Sequence, residues 1–343
     1  MGLWFVDFEA WKDKFWKASG RIKSCLKGFF TRLLHRKLGR NTLYGPETVA
    51  EASHQMLCTE ASLSSTAQSM GLAHTTLTRK LQRVSRDEVW NALSSVMDSM
   101  LEVKENLLIA DFTPLEYTGK ELLSYTTGTR QGYVFKVLAA ASGKVICYLA
   151  HMSMLEFKET LLRDLLQRAG SGRVFVSDAE FSSKECLSLK ELWEAVDQCL
   201  ITGFVVRGNP TWHRVLYRLK GLPVGCKVRV KLWGREVWVY KVRLGSEIAY
   251  LLSSSHRLGP SQYSARWAIE VYFRDAKDLQ PRMCFHTLAA RLAVSASSII
   301  ASAVLRLLQI SKGTWKSRIV NTAFRLLEFM APLHFIPEIE DPG

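Results

Sequence analysis

Two short apolar runs, each ending on an aspartate, limit what this chain can fold into more than any other feature. They are "NLLIAD" (106–111) and "VFVSD" (174–178). A run without polar alternation belongs to a strand buried on both faces, and such a strand needs helices above and below its sheet. Neighbouring segments supply them. "MLEFKETLLRDLLQRAG" (154–170) is amphipathic and closed by Gly170, and "SSKECLSLKELWEAV" (182–196) has Ser182 or Ser183 as its cap. "GYVFKVLAAASGKVICYLAH" (132–151) reads as two strands joined at Ser142-Gly143-Lys144, and "GFVVRG" (203–208) as a further strand. Three strands, a helix, a strand, a helix and a strand predict an α/β fold, a mixed sheet with helices on its faces.

Residues 207–257 interrupt that alternation. "CKVRVKLWGREVWVYKVRLGSEIAYLLSSS" (226–255) alternates polar and apolar residues about a turn at Trp233-Gly234, so an antiparallel β insertion is expected. Between 207 and 243 ten bases face one acid, Glu236, with Trp212, Trp233, Trp238 and Tyr240 among them. Either this is a nucleic-acid surface, where phosphates take the charge and bases stack on rings such as Trp233, or it is a solvated face with its aromatics in the core.

The first 100 residues read as helical. In 1–45 ten Lys and Arg face three acids, and Trp4, Phe8, Trp11 and Phe15 keep a helical rhythm. A helix packed on its neighbours, a DNA-contacting arm and a membrane-surface helix all fit. Residues 60–85 read as helix, turn, helix. Ala67 and Met70 face inward, Gly71 takes the left-handed turn, and "HTTLTRKLQRV" (74–84) starts on Thr hydroxyls with Leu77 and Leu81 inward. Thr75, Thr76, Thr78, Arg79 and Arg83 are left outside. A recognition helix with Arg79 and Arg83 on DNA would show this pattern, and so would a plain helical bundle.

The balance of 46 bases and 32 acids, a formal charge of +14, favours a polyanionic partner, nucleic acid ahead of a membrane surface. Seven cysteines, an odd number with no C-x-x-C pair, argue against a disulfide framework or a structural zinc and for a reducing cytoplasm. "LAVSASSIIASAVL" (292–305) is too short to span a bilayer and is expected as a buried helix, with no membrane partner. The histidines are scattered without ligand spacing, and no Gly-rich phosphate loop is present.

Taken singly, Asp111 and Asp178 are ordinary strand-end turn residues. As neighbours they would repel, unless one is protonated or a cation such as magnesium lies between them. "YSARWAIEVYFRDAK" (263–277) bears on that choice. At about 100° per residue, Tyr263, Arg266, Glu270, Arg274 and Lys277 share one stripe about 80° wide. Ala265, Trp267, Ile269, Val271, Tyr272, Phe273 and Ala276 cover most of the rest, so a buried helix with a narrow polar seam is expected. Either the seam is a structural ion-pair network, or it faces metal and phosphate with Glu270 as a third carboxylate beside Asp111 and Asp178.

Tyr263, Arg266, Glu270 and Lys277 are spaced Y-x2-R-x3-E-x6-K. With "RWAIEVYFRDAK", "IADFTPLEYTG", "VFVSDAEFSSKE" and "GFVVRG", this spacing resembles the DDE transposases of insertion sequence family four, over roughly residues 105–310. The resemblance implies an RNase H-like catalytic core (105–206 and 258–310) holding the β insertion (207–257). A helical N-terminal DNA-binding region (1–100) would precede the core and a C-terminal tail (311–343) would follow it. It further implies cut-and-paste transposition, with metal-dependent cleavage at transposon ends and strand transfer into target DNA. Asp111, Asp178 and Glu270 would be the catalytic ligands of two magnesium ions, with manganese as a substitute. Tyr263, Arg266 and Lys277 would hold DNA phosphates, and Arg274 either assists or pairs with Asp278. The implied partners are terminal inverted repeats, target DNA and a second copy of the chain, in the nucleoid-associated cytoplasm of a prokaryote. The family shows Arg-Gly after the second aspartate, where this chain has Ala179-Glu180. A nuclease that cleaves without joining and a DNA-binding protein without catalysis are the two rivals. The presence of all three acids argues against the second.

Overall fold

The run before Asp111 opens β1 (Leu107–Tyr117), and the run before Asp178 forms β5 (Val174–Ser177), its parallel neighbour. Leu108, Ile109, Ala110, Phe175 and Val176 are all buried, as strands covered on both faces require. The computed structural model describes residues 2–34, 44–59, 61–100, 106–117, 127–129, 132–142, 145–151, 157–182, 187–209, 214–281, 285 and 287–310.

Between β1 and β5 come β2 (Thr127–Thr129), β3 (Gly132–Ser142) and β4 (Val145–His151). After β5 come the strands β6 (Gly203–Gly208), β7 (Lys227–Leu232), β8 (Arg235–Leu244) and β9 (Glu247–Ser253), with the short helix α8 (Arg214–Arg218) between β6 and β7. All nine join one sheet in the order β2-β3-β1-β5-β6-β9-β8-β7, with β4 also on β3. The β1–β5 and β5–β6 pairs are parallel and the others antiparallel. Ser142 pairs with Val145 as the expected hairpin requires, although residues 143 and 144 lie outside the described residues.

Asp111 does not end its strand, contrary to expectation. β1 runs on beside β3 through Pro114 to Tyr117, while β5 stops at Ser177. Past Ala110 the central strand therefore has a partner on one side only, a setting in which a proline is tolerated.

The antiparallel strands expected in 207–257 do form, but they prolong the core sheet, because β9 pairs with β6. Trp233 and Gly234 make the two-residue turn between β7 and β8 with φ of 46° and 79°. Positive φ at both positions is what a right-twisted hairpin needs. Lys227, Arg229 and Lys231 are exposed on the outermost strand, with Trp238 and Tyr240 half-buried across from Arg229 and Lys227. Trp212 lies outside the described residues.

Side chains alternate between the two faces of the sheet. Leu108, Ala110, Phe175, Phe204 and Leu252 share one core with α6 (Lys158–Ala169) and α7 (Leu187–Asp197). Gly170 ends α6 at a φ of −77°, not in the left-handed conformation. Glycine is needed there for space, since a Cβ would lie 2.4 Å from the Leu166 carbonyl oxygen and 2.8 Å from that of Leu200. Ser182 closes the short turn after Asp178 instead of capping α7, and Ser183 lies outside the described residues.

Ile109, Val137, Val176, Val205 and Leu251 face the other core. Five helices at the chain's start belong to it: α1 (Gly2–Leu34), α2 (Pro46–Thr59), α3 (Leu63–Ser69), α4 (His74–Gln82) and α5 (Arg86–Asp98). So does α11 (Leu288–Leu307), on which α1, α2, α4 and α5 pack. At 20 residues α11 is longer than the apolar stretch announced. It is long and apolar enough to cross a membrane, yet 89% of its apolar window is buried inside the protein. Ala18, Ile22, Leu26, Phe29 and Leu33 give α1 one buried stripe. The side chains of Trp4, Phe8, Trp11 and Phe15 lie outside the described residues.

α3 and α4 form the expected helix-turn-helix. Ser62 caps α3 by accepting from the Ser65 N–H, and Gly71 turns the chain at a φ of 65°. Ala67, Leu77 and Leu81 are buried, and Met70 is exposed only in part. The N-cap of α4 is Ala73, with no side-chain cap, so the Thr hydroxyls do not start this helix as expected. The anchor is elsewhere. The Ala73 N–H donates to the Tyr44 hydroxyl at 3.1 Å, and buried Lys80 donates to the Tyr44 carbonyl.

Candidate active site

The register of the parallel strands assembles the site. Ala110 lies beside Ser177, and Ser177 beside Val206. One residue further, Asp111 continues β1, Arg207 continues β6, and Asp178 follows the end of β5 between them. By alternation Asp111 and Arg207 share the face of Ile109 and Val205, over which the segment 260–278 is laid.

That segment is not one continuous helix. It divides into α9 (Pro260–Ser264) and α10 (Trp267–Asp278) around a turn at Ala265-Arg266. There Ala265, Arg266, Ala268 and Ile269 donate to carbonyls three residues back, a tightened stretch that shifts the angles expected of a uniform helix. Ile269, Tyr272, Phe273 and Ala276 are buried as expected, but Trp267 is 67% exposed and Val271 only half-buried. Tyr263, Arg266, Glu270 and Lys277 descend in that order from buried to exposed.

Each aspartate is fixed by a backbone N–H. Asp111 Oδ1 accepts from Phe112 at 2.8 Å, and Asp178 Oδ1 accepts from Glu180 at 2.8 Å, capping the turn at 179–181. Burial pushes the Asp111 carboxyl up to about 7, and the neighbouring charge of Asp178 adds to the push, against the opposing effect of Arg266. The Glu180 carboxylate raises it further. Arg266 donates through Nη1 to Glu270 Oε1, and its Nη2 lies 4.0 Å from Asp111 Oδ2. Burial opposes the Arg266 charge, but Tyr263, Asp111, Glu270 and Asp178 outweigh it, and the group's basicity is raised. Burial also raises the Tyr263 phenol, which sits among Arg266, Arg207, Asp178 and Asp111.

The structure thus brings Asp111, Asp178, Tyr263, Arg266 and Glu270 together. Lys277 is about 10 Å further along the helix axis than Glu270, lining a small cleft with Thr113, Gln280 and Ser295. Arg274 is exposed. Arg79 and Arg83 are exposed on and just after α4, and Trp233 is 55% exposed at the β7–β8 turn. None of these three belongs to the acid cluster. Two further residues, Arg207 and Glu180, join the cluster without having been expected beside the acids. Arg207 could have been found by counting alternation along "GFVVRG", which puts it on the face of Val205. Glu180 had no such signal, because its place follows from the turn that Asp178 caps.

The donors suit a hard divalent cation in kind, being carboxylate oxygens throughout. Burial lifts Asp111 first and the Asp178 charge second, and a cation would offset both. Among the described residues, however, no three His, Cys, Asp or Glu side chains stand at metal-ligand spacing.

No family model matches the chain, and no curated protein matches it significantly. Among solved structures, the chain is similar to the cryo-EM structure of the piggyBac transposase synaptic complex with hairpin DNA. The identity is 13% and the TM-score 0.49, over 94% of this chain and 80% of that one.

Proposed function

We propose that the protein is a DNA transposase that cleaves transposon ends and transfers the freed strand to target DNA. One observation supports the proposal: Asp111 and Asp178 directly follow Ala110 and Ser177, the last pair joining parallel β1 and β5, and Glu270 is linked to Asp111 through Arg266. This arrangement of acids on a mixed sheet also supports the RNase H-like reading of the core. Asp111, Asp178 and Glu270 would hold magnesium, or manganese in its place, which when bound supplies Lewis-acid charge for in-line displacement at phosphorus. The chain's own cations act on the substrate. Arg266 offers a guanidinium fork for a phosphate, Lys277 and Arg207 offer further positive charge, and the Tyr263 hydroxyl offers a hydrogen bond. In cleavage, water forms the new P–O bond as the strand's 3′ oxygen leaves. In transfer, that 3′-hydroxyl attacks a target phosphate and displaces another 3′ oxygen. Both steps are displacements at phosphorus, so one site serves both. Exposed Arg79 and Arg83 on the helix-turn-helix and exposed Trp233 on the β7–β8 turn support contacts with DNA outside the cut.

The test is an assay with the element's own end sequence. Glu270→Ala should lower cleavage by about a thousandfold or more while end binding stays within a few fold of the parent. Strand-transfer products should form from pre-cut ends. Hydrolysis without joining would make the protein a nuclease, and a parent that binds ends without cutting would make it a binding protein.

A further inference from the structure

Past Ala110 no backbone pairing joins β1 to β5, because β5 stops at Ser177. Asp111 and Asp178 both lie beyond that last pair, so the ladder does not set their separation. Each is gripped locally. Asp111 Oδ1 is held by the Phe112 N–H and Asp178 Oδ1 by the Glu180 N–H, both at 2.8 Å. Side chains bridge the space between the two grips. The Phe112 ring stacks on that of buried Phe181, with centres 5.3 Å apart and planes within 10°. Phe175 of β5 holds Phe181 edge-on at 5.6 Å. Lys158 completes the bridge: its ammonium donates to the Glu180 carbonyl and lies 5.8 Å from the centre of the Phe112 ring.

Lys158 is the first residue of α6. A cation there meets the positive end of the helix dipole, which opposes it. The Glu180 carbonyl and the face of the Phe112 ring offset that opposition. Resting on the transposase reading, we propose that Lys158 is a positioning residue for cleavage. By joining the Phe112 ring to the Glu180 carbonyl, it fixes Asp111 relative to Asp178 where the sheet no longer does. It acts on DNA only through those two acids, so its loss disturbs the chemical step and leaves the binding of DNA ends in place.

Two measurements on the full chain test this. In cleavage assays with the element's end sequence, Lys158→Met should lower the rate at saturating DNA about a hundredfold, with end affinity within about twofold of the parent. Lys158→Arg keeps a donor for the carbonyl and a cation for the ring, and should return to within about fivefold of the parent rate. Amide hydrogen exchange reads the bridge without activity. In Lys158→Met the Phe112 and Glu180 amides should exchange about tenfold faster, while those of Leu108 and Val176 stay as in the parent. Lys158→Gln, polar but uncharged, carries both measurements if the methionine variant fails to fold. Unchanged exchange at Phe112 and Glu180 overturns the bridge. Faster exchange with parental cleavage, or an arginine variant as slow as the methionine one, overturns the positioning role. A parent that cuts no end DNA overturns the transposase reading, and the exchange measurement then still decides the bridge.

Discussion

Asp111 is the residue whose environment most changes its chemistry. Its carboxyl is pushed up to about 7, first by burial and then by Asp178. The folded protein therefore holds a proton there that the unfolded chain, titrating near 3.8, has already lost. Between about pH 4 and pH 7 the folded state binds more protons, so stability falls as pH rises through that window and levels off above it. Asp111→Asn removes this loss. Urea unfolding should find the variant close to the parent at pH 4 and clearly more stable at pH 8, and equal stability at both pH values would sink this account. Asp111 and Asp178 were legible in the sequence because each follows an apolar run. That β1 continues past Asp111 was not, because Thr113-Pro114 looks local like a strand end. The pairing with β3, from Phe112 beside Leu138 to Tyr117 beside Tyr133, carries the strand onward.

At the scale of elements, α10 is the part that must be held still, since Glu270 and Arg266 approach the sheet from it. Its tether to α11 is the Arg306–Asp275 pair, with the Arg306 guanidinium also stacked 4.2 Å from the Tyr272 ring centre. Both partners are only about a fifth to a quarter exposed. Arg306→Ala should cost about 2 kcal/mol, read as a lower denaturation midpoint. It should also slow cleavage more than it weakens end binding, because it loosens α10 without touching DNA-facing residues. The break between α9 and α10 had no local signal. No glycine or proline marks Ala265-Arg266, and the tightened hydrogen bonds there arise from fitting two helices over β5, β6 and β1. The same fit turns Trp267 outward, which a uniform periodicity would have buried. By contrast, the Gly71 turn and the Trp233-Gly234 hairpin were legible, since each needs a backbone conformation that few residues provide.

For the molecule as a whole, charge and architecture act together. If Arg79 and Arg83 lie on DNA phosphates, replacing each by Ala should reduce the slope of log affinity against log salt by about one. The loss should be similar for end sequence and unrelated duplex, which a binding titration at several salt concentrations would reveal. The continuity of the sheet was hidden in the sequence, because polar-apolar alternation in 227–253 reports strands but not which strand they join. The β6–β9 pairing makes a single ladder from Asp111 out to Lys227. Five strand spacings separate β1 from β7, about 24 Å. The sheet is therefore a ruler. A duplex lying along it would meet the Lys227 and Trp238 edge about seven base steps from the phosphate at Asp111, so protection from cleavage reagents should end at a fixed distance from the cut whatever the sequence between.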